Sequence, residues 1–175
     1  MAVHVALYHS PVACRGVLFA LTASQEAALA ATRDDDEVIE FVDELEDAWD
    51  WDWLCEVDKA WDAMHRSLTD GTLRLGRHDD DPLELAVLGG GHYYAGDDYV
   101  VAHVLADQVA GVAAALERVD EGWLRRRYDA IDPDDYQGEL GDDDFAYTWA
   151  YLQDVREFYR RAAEGGRSVV FTVDQ

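Results

Sequence analysis

The chain has 175 residues, 49% of them apolar with six Trp and nine Tyr, and 38 acidic against 14 basic residues, for a formal net charge of −24. That size and apolar content supply one core, while the charge repels phosphate backbones and anionic lipid, which excludes nucleic acid and membrane as expected partners. What the charge leaves open is a solvated, high-salt type of surface or a face that steers a basic protein partner toward it.

In chain order, Val3 to Tyr8 and Val12 to Leu21 carry Val, Leu, Phe and Ala with few charges and read as one or two strands. Ser24 is the expected N-cap of a short helix over Ala27 to Ala31, with Asp34 to Asp36 in the loop after it. From Glu37, residues Val38, Phe41, Leu45, Ala48 and Trp49 fall at helical spacing, and Leu54, Val57, Trp61, Met64 and Leu68 continue the stripe past a bend near Trp51. On such a helix Trp49 and Trp53 share a face and Trp51 projects oppositely, which favours core packing over an aromatic cage. Asp81-Pro82 then predicts another short helix, ended by Gly89 to Gly91. Tyr99 to Leu105 reads as a strand, and Asp107 to Val119 and Glu121 to Tyr128 as helices. Phe145, Trp149, Leu152, Val155 and Tyr159 mark a last long helix, and Ser168 to Val173 a closing strand. Strands at both ends with helices between them predict a single α+β domain over 1–175, with a small mixed or antiparallel sheet packed with several helices.

Two runs stand out. Val57 to Gly71 reads V-D-K-A-W-D-A-M-H-R-S-L-T-D-G, and Pro82 to Gly90 reads P-L-E-L-A-V-L-G-G. With the final aromatic helix and strand, they resemble the YfbM-like family of small bacterial proteins, from about Cys14 to Gln175. Residues Met1 to Pro11 fall outside the resemblance as a local extension. It implies a fold already seen and a biochemical function not yet assigned, and it carries over no catalytic residue.

The same run holds the best candidates for chemistry. At 100° per residue, Asp58, Asp62 and His65 lie along one edge of the Val57–Trp61–Met64–Leu68 stripe, so an acid could orient and charge His65 as a general base. The alternative is a core-rim histidine bonded to Asp62 or a carbonyl. Gly89, Gly90, Gly91 and His92 could form an anion-binding nest, or the glycines cap a helix and permit a turn. Trp61 joins Gly89 to His92 as the candidate ligand-binding set.

Other motifs are missing or explained locally. The histidines at 4, 9, 65, 78, 92 and 103 include no H-E-x-x-H, there is no C-x-x-C, and no metal site is predicted. His78 to Asp81 could hold a hard cation loosely, yet Asp34–Asp36, Asp79–Asp81 and Asp142–Asp144 all precede expected helices, whose starts favour acids. Asp132 to Asp144 departs from a calcium loop at Tyr136 and Gln137. The Gly run lacks P-loop or dinucleotide spacing, so no cofactor is expected. Cys14 and Cys55 read as buried thiols of a strand and a helix, and Arg125 to Arg127 as partners of nearby carboxylates.

These readings lead first to a cytoplasmic acidic binding or interaction protein, with a basic protein as partner. No leader-like stretch opens the chain and no apolar run approaches the ~20 residues that span a bilayer. The second reading is a hydrolase-like or metal-assisted enzyme using His65 with Asp58 or Asp62 and the Gly89–His92 loop. A third is a structural subunit that buries Tyr147, Tyr151 and Phe158 in a homo-oligomer.

Overall fold

Alternate residues of the first strand belong to two different cores. In the computed structural model, which describes residues 15–74, 81–96 and 99–174, β1 (Gly16–Leu21) turns Val17, Phe19 and Leu21 to one side and Leu18 and Ala20 to the other. All are buried, because helices cover both faces of the sheet. The other described strands are β2 (Leu54–Asp58), β3 (Gly91–Ala95), β4 (Tyr99–Val104) and β5 (Ser168–Asp174). Their spatial order is β2-β1-β5-β4-β3, with every neighbouring pair antiparallel.

On the Val17 side lie α1 (Ala23–Ala30) and α2 (Asp35–Ala48), which contribute Leu29, Val38, Phe41, Val42 and Leu45. On the Leu18 side lie α3 (Ala60–Leu68), α4 (Ala106–Leu116), α5 (Glu121–Tyr128) and α6 (Asp142–Glu164), around a larger core that includes Met64, Val109, Leu124, Leu152 and Phe158. The architecture is a single α+β domain. Among the described residues no helix is long and apolar enough to cross a membrane.

Helix starts follow the local chemistry, with one shift. Thr22, not Ser24, caps α1, in a capping box whose other member is Gln25. Asp34 caps α2 by accepting the Glu37 N–H at 3.0 Å, and Asp35 and Asp36 occupy its first turn. Asp142, Asp143 and Asp144 occupy the first turn of α6. Val3 to Tyr8, Cys14, His78, Asp79 and Asp80 lie outside the described residues.

Two segments expected as helices fold otherwise. Leu54 to Asp58 is the edge strand β2, so Cys55 sits in a strand, and the helix begins only at Ala60. Its short length and burial on both faces hide the alternation that marks a strand, while Leu54 and Val57 happen to extend the phase of α3. Asp81 to Leu88 forms turns held by Glu84 N–H to Asp81 O and Ala86 N–H to Leu83 O, with the Asp81 side chain accepting the Leu83 N–H at 2.9 Å. Leu85, Ala86, Val87 and Leu88 are all buried there, and that packing overrides the Asp-Pro signal.

β4 places a histidine between layers. His103 is 4% exposed, stands edge-on to the Tyr93 ring at 5.8 Å, and has Nε2 3.3 Å from Glu26 Oε1 of α1. Burial holds its pKa below the ordinary value against the pull of Glu26, and burial lowers that of His92 as well. The unfolded chain therefore binds more protons at and below about pH 6.5, and stability present above that pH is lost as pH falls through the depressed folded values. The urea midpoint is expected to drop between about pH 7.5 and 5.5, and His103→Gln to shrink that drop. An undiminished drop in the variant would assign the effect to other groups.

Candidate functional site

The structure separates the residues that helical spacing had grouped. Asp58 ends β2 with φ 42°, and its Oδ2 accepts from the Tyr147 hydroxyl at 2.7 Å. It shares no helix face with His65. Asp62 is on α3 as expected, but its Oδ1 pairs with Arg66 Nε at 2.6 Å rather than with His65. His65 is 5% exposed and shares with Gly89, Asp70 and Glu84 the lining of a cavity of about 20 Å³, which suits about one water molecule. Trp61 is buried against Phe171, with ring centroids 6.1 Å apart, and belongs to the core.

The glycine run is a close crossing of backbone. A Cβ on Gly89 would stand 2.2 Å from the Glu84 carbonyl oxygen, and one on Gly90, at φ +88°, 2.1 Å from that of His103. Gly91 and His92 open β3, where Gly91 pairs with His103 and His92 with Ala102. The described geometry accounts for Gly89 and Gly90 without an anion.

Arg66, which sequence reasoning passed over, is the centre of a polar network at 3% exposure. Besides Asp62, its guanidinium donates to Asp135 Oδ2 at 2.7 Å and to the Asp135 carbonyl at 2.9 Å. Nearby, the hydroxyls of Tyr128 and Tyr136 donate to Asp144 Oδ2 at 2.6 and 3.1 Å. Arg125 does pair with carboxylates, Asp129 and Asp142. Arg127 instead donates to the carbonyls of Ser67 and Thr69 and lies over the Trp123 ring. These contacts tie α3, α5, α6 and the 132–136 turn together.

A wider cleft opens where four strand ends meet. Because the sheet is antiparallel, the starts of β1 and β4 lie beside the ends of β2 and β5: Gly16 pairs with both Asp58 and Val173, and Tyr99 with Asp174. Gly16 leaves room for the Phe171 ring, which a Cβ would meet at 2.7 Å. The cleft has a volume of about 360 Å³ and is lined by Glu46, Glu56, Asp58 and Asp174, by the rings of Trp49, Tyr99 and Tyr151, and by Arg15.

Each wall is fixed by a named contact. Trp49 ends α2 in the left-handed region at φ 38° and meets Phe19 edge-on at 6.2 Å. The Tyr99 hydroxyl donates to Glu46 Oε1 at 2.9 Å, and the Tyr151 ring packs on Tyr147 at 4.8 Å. Burial raises the pKa values of Tyr99 and Tyr147, helped by Glu46 and Asp174 for the first and Asp58 for the second, so both hydroxyls remain donors. The three neighbouring tryptophans diverge: Trp49 lines the cleft, Trp51 is 65% exposed, and Trp53 lies under the Arg167 guanidinium at 3.5 Å. They follow the turn after α2 rather than one continued helix. Phe158, at 1% exposure, is a core residue and presents no face for a second copy.

Residues 13–172 match a family described as a domain of unknown function, DUF1877. The chain belongs to the DUF1877 family. Its fold is similar to the crystal structure of a protein of unknown function, YfbM from Escherichia coli, with a TM-score of 0.64 and 21% identity over 91% of this chain and 99% of that one. Likeness at that identity shows the fold. No curated protein matches the chain. The YfbM-like reading of the sequence is thereby shown, and within this DUF1877 domain no catalytic role is shown. Sequence reasoning singled out Asp58, Trp49 and Tyr151 separately but did not join them in one cleft, because they meet Glu46, Tyr99 and Asp174 only through the strand order and the helices packed on it. The usable signal was the acids and aromatics placed at predicted strand and helix ends.

Proposed function

We propose that this DUF1877 domain is a binding protein whose acidic cleft receives a cationic side chain of a basic protein partner. The observation that carries this reading is the convergence of four carboxylates and three aromatic rings in one cleft of about 360 Å³, a size within the range of roughly 300–1,000 Å³ usual for ligand sites. Ring faces attract a cation and the carboxylates neutralise it. The field of a chain with net charge −24 then steers a basic surface toward the cleft, at a rate that falls with added salt. A cytoplasmic setting is part of the proposal, since Cys55 is a free, buried thiol.

The hydrolase-like or metal-assisted alternative asks for an activated nucleophile or a ligand set. The residues lining the cleft include no imidazole, thiol or serine to serve as nucleophile or base, no three carboxylates or imidazoles among the described residues are grouped to hold one metal ion, and the His65 cavity is water-sized. Binding is the chemistry this lining performs best.

A hexa-arginine peptide titrated by calorimetry tests the proposal. Glu56 is exposed in β2, so Glu56→Lys leaves the core untouched and is expected to weaken binding about tenfold at low salt, where a pair of like charges now meets the peptide. Glu117→Lys, an equal charge change on the exposed end of α4, is expected to have a small effect. Equal losses from both would reduce the binding to the general field of the surface and overturn the cleft as its seat.

A further inference from the structure

One carboxylate of the cleft is only half satisfied. Tyr147 holds Oδ2 of Asp58 at 2.7 Å, but Oδ1 is shielded from water and has no hydrogen bond. A buried acceptor without a donor is unfavourable, more so when charged. Its neighbour is Arg15, whose Nε stands 3.6 Å away, beyond hydrogen-bond reach, on a side chain 74% exposed. Arg15 is anchored by its main chain instead, through an N–H donated to Asp174 Oδ1 at 3.2 Å. The cleft thus already has a guanidinium at its mouth, close enough to feel Asp58 and too far to bond it.

We propose that the cleft takes the guanidinium of a partner's arginine at Asp58 Oδ1, and that Arg15 is the resident group it displaces. This rests on the cationic reading of the cleft given above. A guanidinium suits the site better than an ammonium because its planar fork can donate to a carboxylate while its face stacks on a ring such as Tyr151 or Trp49. Oδ1 is shielded with Arg15 beside it, so an incoming arginine reaches it only by moving the Arg15 side chain aside, whereas Arg15, tied at its backbone to Asp174, stops short of it. Displacing Arg15 costs little, since an exposed ion pair is weak.

The test compares acetyl-Gly-Arg-Gly-amide with acetyl-Gly-Lys-Gly-amide, titrated against the full chain and followed by tryptophan fluorescence. The arginine peptide is expected to bind several-fold more tightly. Arg15→Ala is expected to tighten it about two- to five-fold, the range set by loss of an exposed pair. Asp58→Asn keeps the shape and tolerates the left-handed backbone, and is expected to weaken binding at least tenfold with an unchanged melting temperature. Equal or tighter binding of the lysine peptide would overturn the choice of guanidinium. Unchanged or weaker binding by Arg15→Ala would overturn the resident role while leaving a cation-binding cleft in place. If neither peptide binds the parent chain or Arg15→Ala, the reading of the cleft itself fails.

Discussion

Replacing Gly90 with alanine is expected to destabilise the fold by about 3 kcal/mol, the sum of a left-handed backbone penalty and an overpacking term. Gly90 has φ +88°, and an added Cβ would lie 2.1 Å from the His103 carbonyl oxygen. That carbonyl belongs to β4, which is paired on both sides, with β3 and β5, so it cannot retreat without breaking a ladder. A Cβ on the neighbouring Gly91 would meet nothing within 4 Å, and Gly91→Ala is expected to change stability by less than about 0.5 kcal/mol. Urea unfolding of the two variants decides the matter. Similar midpoints would mean that the β3–β4 ribbon gives way, and the close crossing would lose its structural role.

The second large effect belongs to Arg66. Removing one partner of a buried ion pair typically costs about 3–5 kcal/mol, because the other charge stays buried and uncompensated. Arg66→Ala would strand Asp62, whose side chain is 17% exposed, while Asp135, at 54%, can turn to water. The loss is therefore expected near the lower end of that range. The double variant Asp62→Leu with Arg66→Met removes both charges and is expected to recover most of it. Denaturant midpoints for the single and double variants, measured at one pH, provide the check. A loss below about 1 kcal/mol for Arg66→Ala would place the pair in the class of solvated surface contacts.

Much of the fold was legible because its signals were local. The Val38–Phe41–Leu45 spacing, the acidic starts of α2 and α6, the apolar run of β1 and the closing strand β5 each follow from neighbours within a few residues. What was not legible depended on contacts distant in sequence. Leu54 to Asp58 became a strand only by pairing with β1, and Asp81 to Leu88 stayed in buried turns whose Ala86 carbonyl accepts from the distant Tyr159 hydroxyl of α6. β3 was missed although Tyr93-Tyr94 between Gly91 and Gly96 is an aromatic, strand-like pair. For the site, Asp62 and Arg66 four residues apart were a readable pair. The cleft was not readable, since Arg15 and Asp174 meet across 159 residues.

The position of β5 has a consequence for how the chain is made. It is the last of the five described strands in sequence and the middle one in space, flanked by β1 and β4. Until it leaves the ribosome, β1 with β2 and β3 with β4 are two separate ribbons, each with an open inner edge. The sheet therefore closes only after the other four described strands have been made, which makes folding slow and leaves apolar edges exposed to neighbouring nascent chains. Mutual repulsion from a net charge of −24 keeps those unfinished chains apart during the wait.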